Sequence, residues 1–114
     1  MEVNPRELII YETEQGEDPF SDWLDSLRDR VARARIRKRL DRVKLGNLGD
    51  YKAVGEGVYE LRIDCGPGYR VYYASIDLTI ILLLCGGDKD TQEGDIEQAK
   101  QFWNDFKQRE HADE

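Results

Sequence analysis

Arg62 and Arg70 stand in two adjacent stretches that alternate apolar and polar residues. From Val58 to Asp64, Tyr59, Leu61 and Ile63 alternate with Glu60, Arg62 and Asp64. From Tyr69 to Ala74, Tyr69, Val71 and Tyr73 lie opposite Arg70 and Tyr72. A period of two marks half-buried strands, and Gly66-Pro67-Gly68 between them reads as a turn. Strand side chains alternate between faces, so hairpin register decides which polar residues meet. If both apolar sets are to share a core face, the connection must be odd in length. Arg62 and Arg70 then share the other face with Glu60 and Tyr72. Two guanidinium groups this close repel unless something anionic lies between them. One reading supplies that charge internally, from Glu60, Asp64 or the acidic C-terminal helix, as a solvated lattice. The other leaves the pair open to an external anion. Lys89, after Gly86-Gly87, sits where the third strand delivers a residue to the sheet edge. Lys52, before the first of these strands, reaches the same side. Taken singly, each lysine is an ordinary surface residue.

The elements that must position these groups follow from the same pattern. Glu7 to Thr13, with Leu8, Ile9, Ile10 and Tyr11, is a short strand. Gln15-Gly16-Glu17-Asp18 is a turn. Pro19 suits the first turn of a helix capped by Asp18, whose apolar face is Phe20, Trp23, Leu24 and Leu27. A second helix spans about Asp29 to Leu45 with Ala32, Ile36, Leu40 and Val43 as its apolar stripe. Arg28, Arg35, Arg39 and Arg42 line another of its faces, and Gly46-Asn47-Leu48-Gly49-Asp50 ends it. Leu78 to Cys85 is apolar on both faces, as a central strand is, and Gly86-Gly87 breaks it. A last helix from about Gln92 to Gln108, capped by Thr91, buries Ile96, Ala99, Phe102, Trp103 and Phe106. The expected order is β-α-α-β-β-β-α. This is a single α+β domain over residues 1–114, with a small antiparallel-rich sheet, an N-terminal helical hairpin and a C-terminal helix.

Composition narrows the function classes. At 114 residues the chain can bury a core without staples. No apolar run approaches membrane-helix length, and Met1-Glu2-Val3-Asn4-Pro5 has neither the basic nor the apolar region of a signal peptide. The expected compartment is the cytoplasm, with no membrane partner. Cys65 and Cys85 lack metal-ligand spacing, and the single histidine, His111, lies in a polar tail. Neither a zinc site nor a histidine triad is expected, and no cofactor. A net charge of −7 by itself argues against nucleic-acid binding. The distribution argues otherwise: Arg28 to Lys44 holds nine of the 17 basic residues and only Asp29 and Asp41 as acids. A chain so segregated can present a positive face despite a negative sum.

Four segments in order form a wider pattern. They are Gly46-Asn47-Leu48-Gly49-Asp50-Tyr51-Lys52, Val54 to Ile63 with Glu60-Leu61-Arg62, Gly66-Pro67-Gly68-Tyr69-Arg70-Val71, and Leu83 to Lys89 with Gly86-Gly87-Asp88-Lys89. With Phe20-x-x-Trp23-Leu24-x-x-Leu27, Arg33-x-Arg35-Ile36 and Gln92-x-x-Asp95-Ile96, the chain resembles the phage Gp49-like, HigB-type branch of the RelE/ParE toxin superfamily. The resemblance covers nearly the whole chain. It implies a RelE-like fold, the toxin of a type II toxin–antitoxin module, and ribosome-dependent cleavage of messenger RNA. The implied chemistry needs no metal: the 2′-hydroxyl attacks the adjacent phosphate and displaces the 5′-oxygen. A protein assists by stabilising the phosphorane, accepting the 2′ proton and protonating the leaving oxygen.

By position, the resemblance makes Arg70 the phosphate-stabilising arginine and Lys89 a leaving-group stabiliser. Arg62 grips RNA or braces the site. Glu60 is a general base or, equally, a partner of Arg62 and Arg70. Lys52 contacts the RNA backbone, and the helix bearing Arg35, Arg39 and Arg42 binds ribosomal RNA or is a solvated face. Relatives that carry a tyrosine or histidine at the start of the last helix differ from this chain, where Thr91-Gln92-Glu93-Gly94-Asp95-Ile96 has neither. The implied partners are a cognate antitoxin of helix-turn-helix type, the ribosome and mRNA. Two other outcomes stay open on the same scaffold: a ParE-like poison of DNA gyrase, and a decayed toxin that only binds its antitoxin.

Overall fold

The computed structural model describes residues 5–112. The chain forms β1 (Glu7–Ile10), α1 (Pro19–Ser26), α2 (Arg30–Lys44), β2 (Tyr51–Gly55), β3 (Val58–Ile63), β4 (Tyr69–Ile76) and β5 (Ile80–Asp88). A 3-10 turn (Lys89–Thr91) then leads into α3 (Gln92–Ala112). The five strands make one sheet in the order β1-β5-β4-β3-β2. β1 runs parallel to β5, and every other pair is antiparallel. The architecture is mixed α+β, with one more strand than the sequence pattern suggested.

The helices begin where their caps are. Asp18 accepts from the Ser21 amide with Pro19 at the first helical position, and Asp29 accepts from the amides of Val31 and Ala32. Ala32, Ile36, Leu40 and Val43 are buried and pack with Phe20, Leu24, Leu61, Ile63, Val71 and Tyr73 on one face of the sheet. Val58, Tyr72, Ala74, Leu82 and Leu84 pack beneath Ala99, Ile96 and Phe102 of α3 on the other. The sheet is therefore sandwiched, and its two faces have separate cores.

Three expectations are corrected. The expected order has no strand over residues 51–55, which are mostly exposed and do not alternate. They form β2, an edge strand paired with β3 through Tyr51↔Leu61, Lys52↔Glu60 and Ala53↔Tyr59. Glu56 and Gly57, both at positive φ, make the two-residue turn that closes this hairpin. β5 begins at Ile80, not Leu78, because Asp77 at φ 56° turns the chain and leaves Leu78 exposed. It also runs through Gly86-Gly87 to Asp88 instead of breaking there. A Cβ on Gly86 would run into the Trp23 ring, and one on Gly87 into Asp95 Oδ2. These glycines make room for neighbours on both faces. Finally, Asp88 caps the turn into α3. Its carboxylate accepts from the amides of Asp90 and Thr91, while Thr91 serves as the reciprocating residue of a capping box. The side chain of His111 lies outside the described residues.

Candidate functional site

The register places the polar groups where strand alternation required. Ile63 pairs with Tyr69, Arg62 with Arg70, and Glu60 with Tyr72. Leu61, Ile63, Tyr69, Val71 and Tyr73 belong to the core under α1 and α2, so Glu60, Arg62, Arg70 and Tyr72 project to the α3 face. Lys52 lies opposite Glu60 across β2 and β3, and is exposed. The Lys89 turn arrives beside this row. A Cβ on Gly68 would lie 3.6 Å from Arg70 Nη1 and 3.8 Å from Lys89 Cβ, so the Arg70 guanidinium and the base of the Lys89 side chain flank the same point.

Glu60 organises the cluster. It has 0% exposure. Its Oε1 accepts from Arg62 Nε at 3.0 Å, and its Oε2 accepts from Tyr72 Oη at 3.1 Å and Gln92 Nε2 at 2.8 Å. Arg70 Nε lies 3.5 Å from Oε1. That is close enough for attraction but misdirected for a hydrogen bond, so this buried nitrogen has no hydrogen-bond partner. Burial alone would raise the Glu60 pKa. The hydrogen bonds from Gln92, Arg62 and Tyr72 and the charge of Arg70 outweigh it and hold the carboxyl below its ordinary value. The same contact raises the pKa of Arg62. Burial and the neighbouring Glu60 charge raise that of the Tyr72 phenol, which therefore stays protonated and donating.

This arrangement bears on both roles open to Glu60. A general base needs access to its proton and an affinity for it. Glu60 is sealed from solvent, surrounded by donors and biased toward the charged form. Its geometry is that of a brace for Arg62 and Arg70. The brace leaves the arginines partly unsatisfied: Arg70 donates from Nη1 to the Gly68 carbonyl at 3.1 Å and its side chain is 14% exposed, while that of Arg62 is 38% exposed. Their remaining N–H groups are the ones an incoming anion would meet.

The α2 arginines are not part of this cluster. Arg35, Lys38, Arg39 and Arg42 line a separate cleft of about 340 Å³ with Ile63 and Asp64. Arg35 and Arg42 are exposed there. Arg39, expected beside them as an RNA contact, is engaged by the backbone. Its guanidinium donates to the carbonyls of Leu48 at 2.8 Å, Asp50 at 2.7 Å and Arg62 at 2.6 Å, stapling α2 to the loop before β2 and to β3. Burial lowers its pKa accordingly.

Gln92 and the role of Tyr72 were not foreseen. Tyr72 could be placed on the face by alternation, but its bond to Glu60 follows only from the register. Gln92 lies 32 positions from Glu60, and no local pattern in the sequence joins them. Cys65 and Cys85 are free thiols. Among the described residues, no group of three or more His, Cys, Asp or Glu side chains is arranged to hold a metal ion, and no helix is long and apolar enough to cross a membrane.

The family profile Phage derived protein Gp49-like (DUF891) matches residues 22–103, a span containing Glu60, Arg62, Arg70, Lys89 and Gln92. The chain belongs to the Gp49-like family. A Haemophilus influenzae protein described as uncharacterized is 51% identical over 81 residues, covering 71% of this chain and 82% of that protein. The Gp49-like family is of toxin–antitoxin type. Membership is consistent with a toxin in general and with an antitoxin as its partner.

Proposed function

We propose that this chain is the toxin of a type II module and cleaves ribosome-bound messenger RNA, as a HigB-type member of the RelE/ParE superfamily. The observation that carries this reading is the Arg62–Arg70 pair. It is braced from below by one buried carboxylate, leaves both side chains partly exposed, and lies beside the Lys89 turn. Two forks held by a carboxylate form a rigid cationic seat, and guanidinium stays charged at every physiological pH.

In this seat the scissile phosphate takes its non-bridging oxygens to Arg70. The 2′-hydroxyl gives its proton to solvent water or hydroxide as its oxygen bonds to phosphorus, negative charge grows on the non-bridging oxygens, and preformed donors stabilise it without reorganising. The P–O5′ bond then breaks, leaving a 2′,3′-cyclic phosphate. Lys89 neutralises or protonates the departing 5′-oxygen. Arg62 holds the phosphate from the other side, and Glu60 fixes both arginines without exchanging protons. Lys52 contacts the RNA backbone next to the seat, and the exposed Arg35 and Arg42 of α2 meet ribosomal RNA. An antitoxin of helix-turn-helix type is the partner that silences the protein in the cytoplasm.

Expression without antitoxin tests the reading, with pulse-labelled protein synthesis and mapped mRNA 5′ ends. The expected result is rapid translation arrest with new mRNA ends. Early DNA damage with normal translation would instead indicate a gyrase poison, and a harmless phenotype a decayed toxin.

A further inference from the structure

We propose that Gln92 is a positioning residue: its carboxamide, donating to the buried Glu60 carboxylate, holds the Lys89 turn against the Arg62–Arg70 pair. The kinetic consequences rest on the cleavage reading above; the structural ones rest on geometry alone.

Between β5 and α3 the chain is shaped by bonds within itself. The Asp88 carboxylate accepts from the amides of Asp90 and Thr91, and Thr91 Oγ1 donates to Asp95. These bonds form the turn but do not attach it to β3. Gln92 does, reaching Glu60 Oε2 at 2.8 Å from the first residue of α3. One carboxylate thereby joins three elements: Arg62 from β3, Tyr72 and Arg70 from β4, and Gln92 from α3. Without the carboxamide, Oε2 keeps only Tyr72 as a donor, and the segment carrying Lys89 loses its tie to the strand that carries Arg62. An amide suits the position because it donates without adding charge. A carboxylate there would repel Glu60.

That repulsion supplies the test. Around position 92 stand Glu60, which also binds Arg62, Arg70 and Tyr72, and Lys89, Asp90, Glu93 and Asp95, which line a hollow with Gln92. In Gln92→Glu, two carboxylates within hydrogen-bond distance cannot both ionise cheaply, so one takes a proton at low pH and restores the contact. The variant should approach wild type near about pH 5.5 and fail progressively toward about pH 8. Gln92→Ala should be impaired throughout.

The experiment compares the purified wild type with both variants, using translating ribosomes and a reporter mRNA. Amide hydrogen exchange and circular dichroism are measured alongside. Gln92→Ala is expected to lower kcat roughly 10- to 100-fold with little change in KM. Exchange should quicken over Asp88–Asp95 while the central strands are unaffected. Unchanged kcat together with unchanged exchange would overturn the proposal, as would a Gln92→Glu profile parallel to wild type. If Gln92→Ala does not fold, the low-pH recovery of Gln92→Glu decides. If wild type itself does not cleave, the cleavage reading fails, and exchange in Gln92→Ala alone supports or overturns the positioning role.

Discussion

Glu60 joins β3, β4 and α3 through one buried carboxylate. Its pKa is depressed from an ordinary 4.5, so the stability it contributes is fully present above that value and is lost as pH falls through the lower folded pKa. Acid titration followed by thermal melts should show that loss in the wild type. Glu60→Gln should lack it, giving a flatter profile. At neutral pH the same variant leaves two guanidinium groups facing each other. It should lose about 2 kcal/mol, less than a fully buried pair would because Arg62 is partly exposed. Arg39 offers a second contrast. Arg39→Ala removes donors from three backbone carbonyls and should cost about 2 kcal/mol in urea unfolding. Arg35→Ala and Arg42→Ala, on exposed positions of the same helix, should stay within about 0.5 kcal/mol of wild type.

Glycine placement decides how the elements meet. Gly86→Ala would drive a Cβ into Trp23 of α1, and Gly87→Ala into Asp95 of α3. Each should destabilise by about 1–3 kcal/mol in chemical unfolding, and Gly87→Ala should also displace the start of α3. These positions explain what the sequence made legible and what it did not. The helical stripe Ala32–Ile36–Leu40–Val43 and the alternation on either side of Gly66-Pro67-Gly68 carry their periods openly. From them follow α2, the β3–β4 hairpin and the shared face of Arg62 and Arg70. Gly86-Gly87 looks like a strand terminator because a missing side chain does not reveal whether it serves a turn or a neighbour. β2 is hidden because an exposed edge strand needs no apolar alternation. The Glu56-Gly57 turn between Gly55 and Val58 was its only local signal. The Gln92–Glu60 bond and the capture of Arg39 by carbonyls depend on tertiary approach and leave no periodic trace.

The whole molecule separates its charge. The net charge is −7, yet the segment from Arg28 to Lys44 carries nine basic residues against two acids. Among the described residues no α2 cation forms an ion pair within 4 Å; the ion pairs lie on β3, β4, α3 and the β2–β3 turn. Such a face attracts a polyanion while the rest of the surface is repelled by it, favouring one orientation of approach. A double Arg35→Glu and Arg42→Glu variant should bind ribosomes more weakly. Its log-affinity against log-salt slope should be shallower by about 2, while the fold is kept.

The proposed chemistry rests on Arg70, braced by Glu60, stabilising a transferring phosphate. Its most direct test is primer-extension mapping of mRNA 5′ ends in a purified translation system given wild type or Arg70→Ala, with circular dichroism confirming the fold of both. Wild type should give new ends within ribosome-occupied codons, and cleavage by the variant should fall by at least about 100-fold. Intact mRNA with the wild-type protein, or equal cleavage by the two, would contradict it.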